Sequence, residues 1–143
     1  MVIADVLIGG IDMRLWHIDL IECLPRQQLL GQHRECCALR GRGWGRPHAT
    51  VNYVFRYSPR MLYDYHIRVM AEMKRRGYDP DPCWMDARYR GKVLQYAPYT
   101  PASGLLLKRY PEHDAEYLVQ CLENLQHKGI NLNKEIRLKE TLS

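Results

Sequence analysis

Residues 24–41 read LPRQQLLGQHRECCALRG, a stretch that carries the signals of a helix at both ends. Pro25 is tolerated in a first helical turn, and Gly41 follows the last residue of the apolar pattern. Residues suited to a core recur inside the stretch at helical spacing. They form one inward stripe: Leu29, Leu30, His33, Cys36 and Cys37. We therefore predict a helix from about Pro25 to Leu39 that buries this stripe.

A second side of this helix is polar and contains a glycine. Its residues are Gln27, Gly31, Arg34 and Ala38, with Gln28 and Glu35 beside them. A glycine costs a helix interior about 1 kcal/mol relative to alanine, so we expect Gly31 to permit close approach of another chain segment or a ligand. Arg34 and Glu35 could be an ordinary exposed pair. Their position beside Gly31 makes this side the best candidate for a functional site.

A second helix is predicted between Ser58 and Gly77. Ser58 can cap it, Pro59 suits its first position, and Gly77 follows a basic last turn. Its buried stripe is Leu62, Tyr65, Val69 and Met73. The basic turn at residues 74–76 suits the negative end of the helix dipole, so these residues need no role beyond structure.

The remaining elements are less regular. We predict a third helix over about Pro111–Lys128, with Leu118, Cys121, Leu122 and Leu125 facing the core. Ala49–Tyr57 is either a short strand or a short helical connection, and residues 78–110 should be mostly loop with one helical turn. The pattern indicates an all-α protein with three main helices joined by long loops.

Length and composition favour a globular domain that stays out of the membrane. The chain has 143 residues, of which 46% are hydrophobic and 26% charged, enough for one domain with a real core. No apolar run is long enough to span a bilayer, and the run near Val2 is too short for a convincing signal peptide. Five cysteines without a CxxC pair fit reduced thiols. We therefore expect a cytoplasmic monomer.

Metal and nucleotide sites find little support in the sequence. The six histidines show neither HxxxH nor HExxH spacing, and His33 is expected to be a hydrogen-bonded core histidine that is buried or half-buried. No phosphate-binding loop or serine-nucleophile motif occurs. We predict neither a metal nor another cofactor.

Charge favours a nucleic-acid partner. The net charge is +5, and basic residues alternate with aromatic ones between Arg40 and Arg109. Such a mixture suits DNA better than an acidic protein, although a solvated basic surface has the same composition.

These residues together resemble a known family. Met13-Arg14-Leu15-Trp16-His17, the stretch from Leu24 to Cys37, and Pro47-His48-Ala49-Thr50-Val51 are similar to the pyrimidine-dimer DNA glycosylases of the phage endonuclease V type. The similarity extends to the helix that closes on Gly77-Tyr78, and the rest of the chain matches poorly.

The resemblance implies a compact all-α domain whose N-terminal segment threads between helices. It implies a metal-independent glycosylase and apurinic-site lyase that acts on lesion-bearing double-stranded DNA. An N-terminal α-amine would form a Schiff base with the damaged nucleotide, and elimination would then nick the strand. By position, Glu35 matches the catalytic glutamate and Arg34 the arginine before it. Arg14 matches the arginine beside the terminus, and Gln27 a DNA-contacting glutamine.

This sequence departs from the family at two places. A family arginine is replaced by Ala38, so we expect Arg40 or Arg42 to contact DNA instead. Twelve residues precede Met13. We expect residues 1–12 to be an extension, Met13 to be the true start and its amine to be the nucleophile, and residues 13–143 to form the glycosylase domain. A non-catalytic DNA-binding module and a protein-interaction domain remain as alternatives.

Overall fold

The computed structural model describes residues 14–97 and 109–136, and these residues form a helical protein. Three α-helices span Arg26–Arg40 (α1), Pro59–Arg75 (α2) and Ala115–His127 (α3). Three short 3-10 helices span Ile18–Cys23, Asn52–Arg56 and Pro82–Met85. No strand occurs in the described residues, so the predicted all-α class with three main helices is confirmed, and Ala49–Tyr57 contains a 3-10 helix.

Helix α1 lies where it was predicted, but its buried side is rotated. Leu29 and Cys36 are buried as expected, whereas Leu30, His33 and Cys37 are only half-buried. Two polar residues, Gln32 and Arg40, are buried in their place. The apolar pattern therefore predicted the buried side of α1 only approximately. Gln32 and Arg40, which the pattern did not include, also belong to the buried side.

Helix α2 forms as predicted and packs against α1. The hydroxyl of Ser58 accepts a hydrogen bond from the Arg60 amide, and Pro59 occupies the first turn. The predicted stripe is buried: Leu62, Tyr65, Val69 and Met73. In the basic last turn, Arg76 donates to the buried Glu72 carboxylate at 2.6 Å and to the Leu24 carbonyl at 2.7 Å. The basic turn thus joins the end of α2 to the start of α1.

The segment before the first 3-10 helix runs between helices. Leu15, Trp16 and His17 are buried although they belong to no helix or strand. Side chains from the surrounding helices satisfy their backbone: Tyr117 of α3 donates to the Leu15 carbonyl at 2.5 Å, and Tyr65 of α2 donates to the Trp16 carbonyl at 2.6 Å. The described part of this segment therefore threads between helices, as the family resemblance implied.

The loop after α1 is ordered by close backbone packing. A Cβ atom at Gly43 would lie 2.8 Å from the Ala38 carbonyl oxygen, so only glycine fits there without a backbone shift. Trp44 packs edge-on against Phe55, with 5.0 Å between the ring centroids. The glycine and proline content of this loop is typical of a flexible segment, whereas these contacts show that Gly43 permits a close approach of two backbone segments.

Helix α3 begins four residues later than predicted. Pro111 precedes it in a turn, and the Asp114 carboxylate caps the helix by accepting from the Tyr117 amide at 2.9 Å. Cys121 and Leu125 are buried and Leu118 and Leu122 half-buried, as the pattern predicted. No helix among the described residues is both long and apolar enough to cross a membrane.

Candidate active site

Glu35 lies against the first described residue of the chain. The backbone N–H of Arg14 donates to Glu35 Oε2 at 3.2 Å, although the two residues are 21 positions apart. Both residues are half-buried, so part of each residue is exposed to solvent. The carboxylate and the incoming main chain therefore meet at a partly exposed edge of α1. Met13, the predicted nucleophile, lies outside the described residues.

Gln32 is hydrogen-bonded to both of these residues. Its Nε2 donates to the Arg14 carbonyl at 2.9 Å and to Glu35 Oε2 at 3.2 Å. Its Oε1 accepts from the Trp16 amide at 2.7 Å and from the Tyr65 hydroxyl at 2.9 Å. Sequence reasoning missed both Gln32 and Tyr65. The available signal was that Gln32 lies three residues before Glu35, a spacing that puts two helical side chains side by side.

Two arginines flank this edge. Arg34 is exposed, and its guanidinium lies 3.7 Å from the place where a Cβ atom at Gly31 would stand. The Arg14 guanidinium lies over the Trp16 ring, 5.4 Å from its centroid. Apart from its chain neighbours and the backbone of its own helix, no other described residue comes within 4 Å of a Cβ atom at Gly31, so Gly31 is not required for packing among the described residues. Within the described part of the chain, the surface beside Arg34 is therefore uncovered, as a ligand would require.

The remaining predicted DNA-contacting residues divide into exposed and buried ones. Gln27 and Arg42 are exposed. Arg40 is 8% exposed and points inward, where it donates to the carbonyls of Trp84 and Asp86, each at 2.8 Å. We expected Arg40 or Arg42 to replace the family arginine missing at Ala38. The interior position of Arg40 leaves Arg42 as the residue of this pair that faces solvent.

Arg40 also begins a hydrogen-bond chain through two histidines. Its Nη1 lies 2.9 Å from His66 Nδ1, and His66 Nε2 lies 2.8 Å from His33 Nδ1. A guanidinium can only donate, so His66 Nδ1 accepts and the single proton of the neutral ring is on Nε2. Burial, helped by the Arg40 charge, lowers the pKa of His66 to about 2, which keeps the ring neutral. His33 is half-buried and hydrogen-bonded, as predicted.

His33, Cys37 and His66 also lie close enough together to be metal ligands, because their donor atoms fall within 4.8 Å of one another. The sequence did not reveal this group, since it combines positions i and i+4 of α1 with a residue of α2. A histidine ligates through an unprotonated nitrogen, whereas His66 Nε2 carries a proton and Nδ1 accepts from a cation. Burial also raises the pKa of the Cys37 thiol to about 12. As arranged, the group is a hydrogen-bond chain.

A second neutral, buried histidine holds the end of the threaded segment. His113 is 3% exposed, accepts from the Ile18 amide at 3.1 Å through Nδ1, and contacts the Tyr53 hydroxyl at 2.7 Å through Nε2. Burial is the main cause that lowers its pKa to about 3. This neutral histidine fixes the start of the first 3-10 helix, immediately after the residues that contact Glu35 and Gln32.

Comparison with known proteins identifies a family. The family described as pyrimidine dimer DNA glycosylase matches residues 13–86, about half of the chain. The chain therefore belongs to that family of DNA-repair glycosylases, which act on DNA that contains pyrimidine dimers. The match begins at Met13, as predicted, and extends past Tyr78, where we expected it to end. No curated protein and no solved structure gave a significant match.

Proposed function

We propose that the chain excises pyrimidine dimers and then nicks the DNA as an apurinic-site lyase, through a Schiff base from a free α-amine at Met13. The observation that carries this proposal is the 3.2 Å contact between the Arg14 backbone nitrogen and Glu35 Oε2. Consecutive Cα atoms are about 3.8 Å apart, so an amine at residue 13 or 14 stays within one residue of the carboxylate.

An α-amine suits this chemistry near neutral pH. Its ordinary pKa of about 8 leaves a useful fraction neutral, whereas a lysine amine near 10.4 is almost wholly protonated. The amine nitrogen bonds to the sugar C1′ as the bond from C1′ to the base breaks, and the base leaves with a proton. Ring opening places a proton on the sugar oxygen and gives a protonated imine. Removal of a C2′ proton then expels the 3′ phosphate, and water releases the enzyme.

In this reaction Glu35 orients the amine, takes up and returns its protons, and stabilises the cationic sugar. Arg34, exposed beside it, suits the adjoining phosphate, and Arg14, Gln27 and Arg42 supply further contacts. A nucleotide must be bent or flipped out of the duplex to expose C1′. The described residues leave the surface at Gly31, next to Arg34, uncovered and so provide room for such an approach.

The decisive experiment traps the Schiff base. Three proteins would be compared, beginning at Met1, at Met13, and at Arg14 after removal of a cleavable leader. Each is incubated with a duplex containing an abasic site and with borohydride, and peptide mapping locates the covalent adduct. We expect the Met13 protein to be trapped at its terminal amine and the Met1 protein to be trapped poorly, because residue 13 then contributes only an amide.

The other outcomes are equally informative. Strongest trapping by the Arg14 protein would move the nucleophile by one residue. An adduct on a lysine, formed equally by all three proteins, would contradict the terminal-amine mechanism. Salt-dependent binding of duplex DNA without any trapping would favour the non-catalytic DNA-binding module of the same fold. Parallel assays on duplexes with a cyclobutane dimer or an abasic site would establish which lesion is preferred.

A further inference from the structure

We propose that Gln32 is a positioning residue for this reaction, one that holds the main chain at residue 14 against the Glu35 carboxylate. The inference rests on the proposed function, because it concerns the same site. Gln32 is 1% exposed and lies one helical turn before Glu35 on α1. Because its side chain is buried, Gln32 does not reach DNA itself, so its effect must pass through Arg14 and Glu35, to which it is hydrogen-bonded.

A closed ring of hydrogen bonds holds residue 14 against Glu35. Arg14 N–H donates to Glu35 Oε2, Gln32 Nε2 donates to the same oxygen, and the second proton on Nε2 goes to the Arg14 carbonyl. Both backbone polar groups of residue 14 are therefore engaged. The three hydrogen bonds together position the Arg14 backbone nitrogen, and the carboxylate does not do so alone.

The Gln32 amide has one permitted orientation. On the other side of the amide, Oε1 accepts a hydrogen bond from the Trp16 backbone N–H at 2.7 Å. If the amide were flipped, its NH2 group would face the Trp16 N–H and this bond would be lost. The Tyr65 hydroxyl has one proton, which it shares between Gln32 Oε1 at 2.9 Å and the Trp16 carbonyl at 2.6 Å. Two donors to Oε1 therefore direct both protons of Nε2 toward Arg14 and Glu35.

The surroundings of Gln32 also restrict which side chain can replace it. The position needs an acceptor on one side and two donors on the other, in a buried space the size of a glutamine. Leucine fills the space but offers neither. A glutamate carboxylate keeps the acceptor and directs negative charge at Glu35 and at the Arg14 carbonyl. A protonated glutamate regains one donor. Misplacement of a reacting group by about 1 Å can reduce a rate about 100-fold, so this clamp should act on turnover.

The test compares Gln32→Leu, Gln32→Glu and Tyr65→Phe with Gln120→Leu, an exposed glutamine of α3 that has no assigned role. Each variant is made in the protein that traps best, and kcat and KM are measured on an abasic duplex. Gln32→Leu should lower kcat at least about tenfold and change KM less than about threefold. Tyr65→Phe should have a smaller effect in the same direction, and the control none.

Gln32→Glu separates positioning from mere folding. Its rate relative to the unsubstituted protein should be lowest near about pH 8 and should recover as the pH falls to about 5, because a protonated carboxylic acid can again donate to Glu35. A ratio that does not depend on pH, or an unchanged kcat for Gln32→Leu, would overturn the inference. If the unsubstituted protein is never trapped, the proposed function fails instead, and the two failures are thus distinguishable. If Gln32→Leu does not fold, the pH series of Gln32→Glu and the result for Tyr65→Phe still decide.

Discussion

Helix α1 carries two polar clusters, and they differ in their exposure and in the charge at their centre. One cluster consists of Gln32 and Glu35 with the backbone of Arg14, and it holds a half-buried carboxylate at an open edge. The other joins Arg40, His66 and His33, and it holds a buried cation among neutral acceptors. Each contains residue types that sequence alone would assign to chemistry.

The comparison shows that hydrogen-bond direction separates the two roles. In the Arg40 cluster the donors point inward, to His66 and to carbonyls of the 82–89 loop, and the chain ends at the half-buried His33 and Cys37. In the Glu35 cluster the donors converge on the carboxylate of a residue that is partly exposed to solvent. A substrate requires a group that it can reach, so the first cluster suits stability and the second suits catalysis.

The largest expected effect is on the Glu35 side. Glu35→Gln keeps the shape of the side chain and removes its charge, so Schiff-base trapping and strand cleavage should fall about 100-fold or more, whereas duplex binding and thermal stability should change little. Glu123→Gln, at an exposed position of α3, is the matched control. Normal cleavage of dimer-containing or abasic DNA by Glu35→Gln would remove the distinction between the two clusters.

Substitution of two nearby arginines gives the next test. Arg40→Met leaves the carbonyls of Trp84 and Asp86 without their donor, so the free energy of unfolding should fall by about 2–4 kcal/mol in denaturant titrations. Arg42→Met, at an exposed position, should change the free energy of unfolding by no more than about 0.5 kcal/mol. It should also reduce the slope of the logarithm of DNA affinity against the logarithm of salt concentration by about 1. The reverse pattern would return Arg40 to the DNA-contacting group.

Acid should weaken the histidine clusters. The pKa values of His66 and His113 are lowered in the fold, chiefly by burial, whereas the unfolded chain takes up these protons near pH 6.5. At lower pH the unfolded state therefore binds more protons than the folded state. These histidines make their full contribution to stability above about pH 6.5, and the free energy of unfolding declines as the pH falls. The free energy of unfolding should decrease by about 2 kcal/mol between pH 7 and pH 5.5.

The measurement is a series of denaturant titrations at several pH values. His66→Gln, which keeps an acceptor for Arg40 and a donor for His33, should flatten the pH dependence by about one proton. His127→Gln, at an exposed position, should leave it unchanged. A pH dependence that His66→Gln leaves intact would mean that other groups cause the acid effect.

The smallest expected effect concerns Gly31. Among the described residues outside the local backbone of α1, only the Arg34 guanidinium lies near the position of a new Cβ atom, so Gly31→Ala should raise stability by up to about 1 kcal/mol through helix propensity. The same methyl group stands on the open surface beside Arg34 and should weaken lesion-DNA binding. Thermal unfolding and duplex titration would measure the two effects. Unchanged affinity would show that DNA does not approach α1 at this glycine.

The sequence by itself determined the features that depend on neighbours along the chain. Ser58, Pro59 and Gly77 predicted α2 correctly, because caps and breakers act on the adjacent turn. The motif containing Arg34 and Glu35 predicted the family, which the match over residues 13–86 confirms. The start of α3 was predicted too early. Pro111 and Asp114 both suit the beginning of a helix, and the side chain of Asp114 forms the cap.

Only the tertiary structure decided which polar side chains find a partner inside. Arg40 and Arg42 look equivalent in the sequence, yet Arg40 reaches carbonyls 44 and 46 residues away while Arg42 faces solvent. Gln32 becomes a clamp through Trp16 and Tyr65, which lie 16 and 33 residues from it along the chain. Helical periodicity is local, whereas a buried hydrogen bond requires a partner that the packing of distant segments supplies.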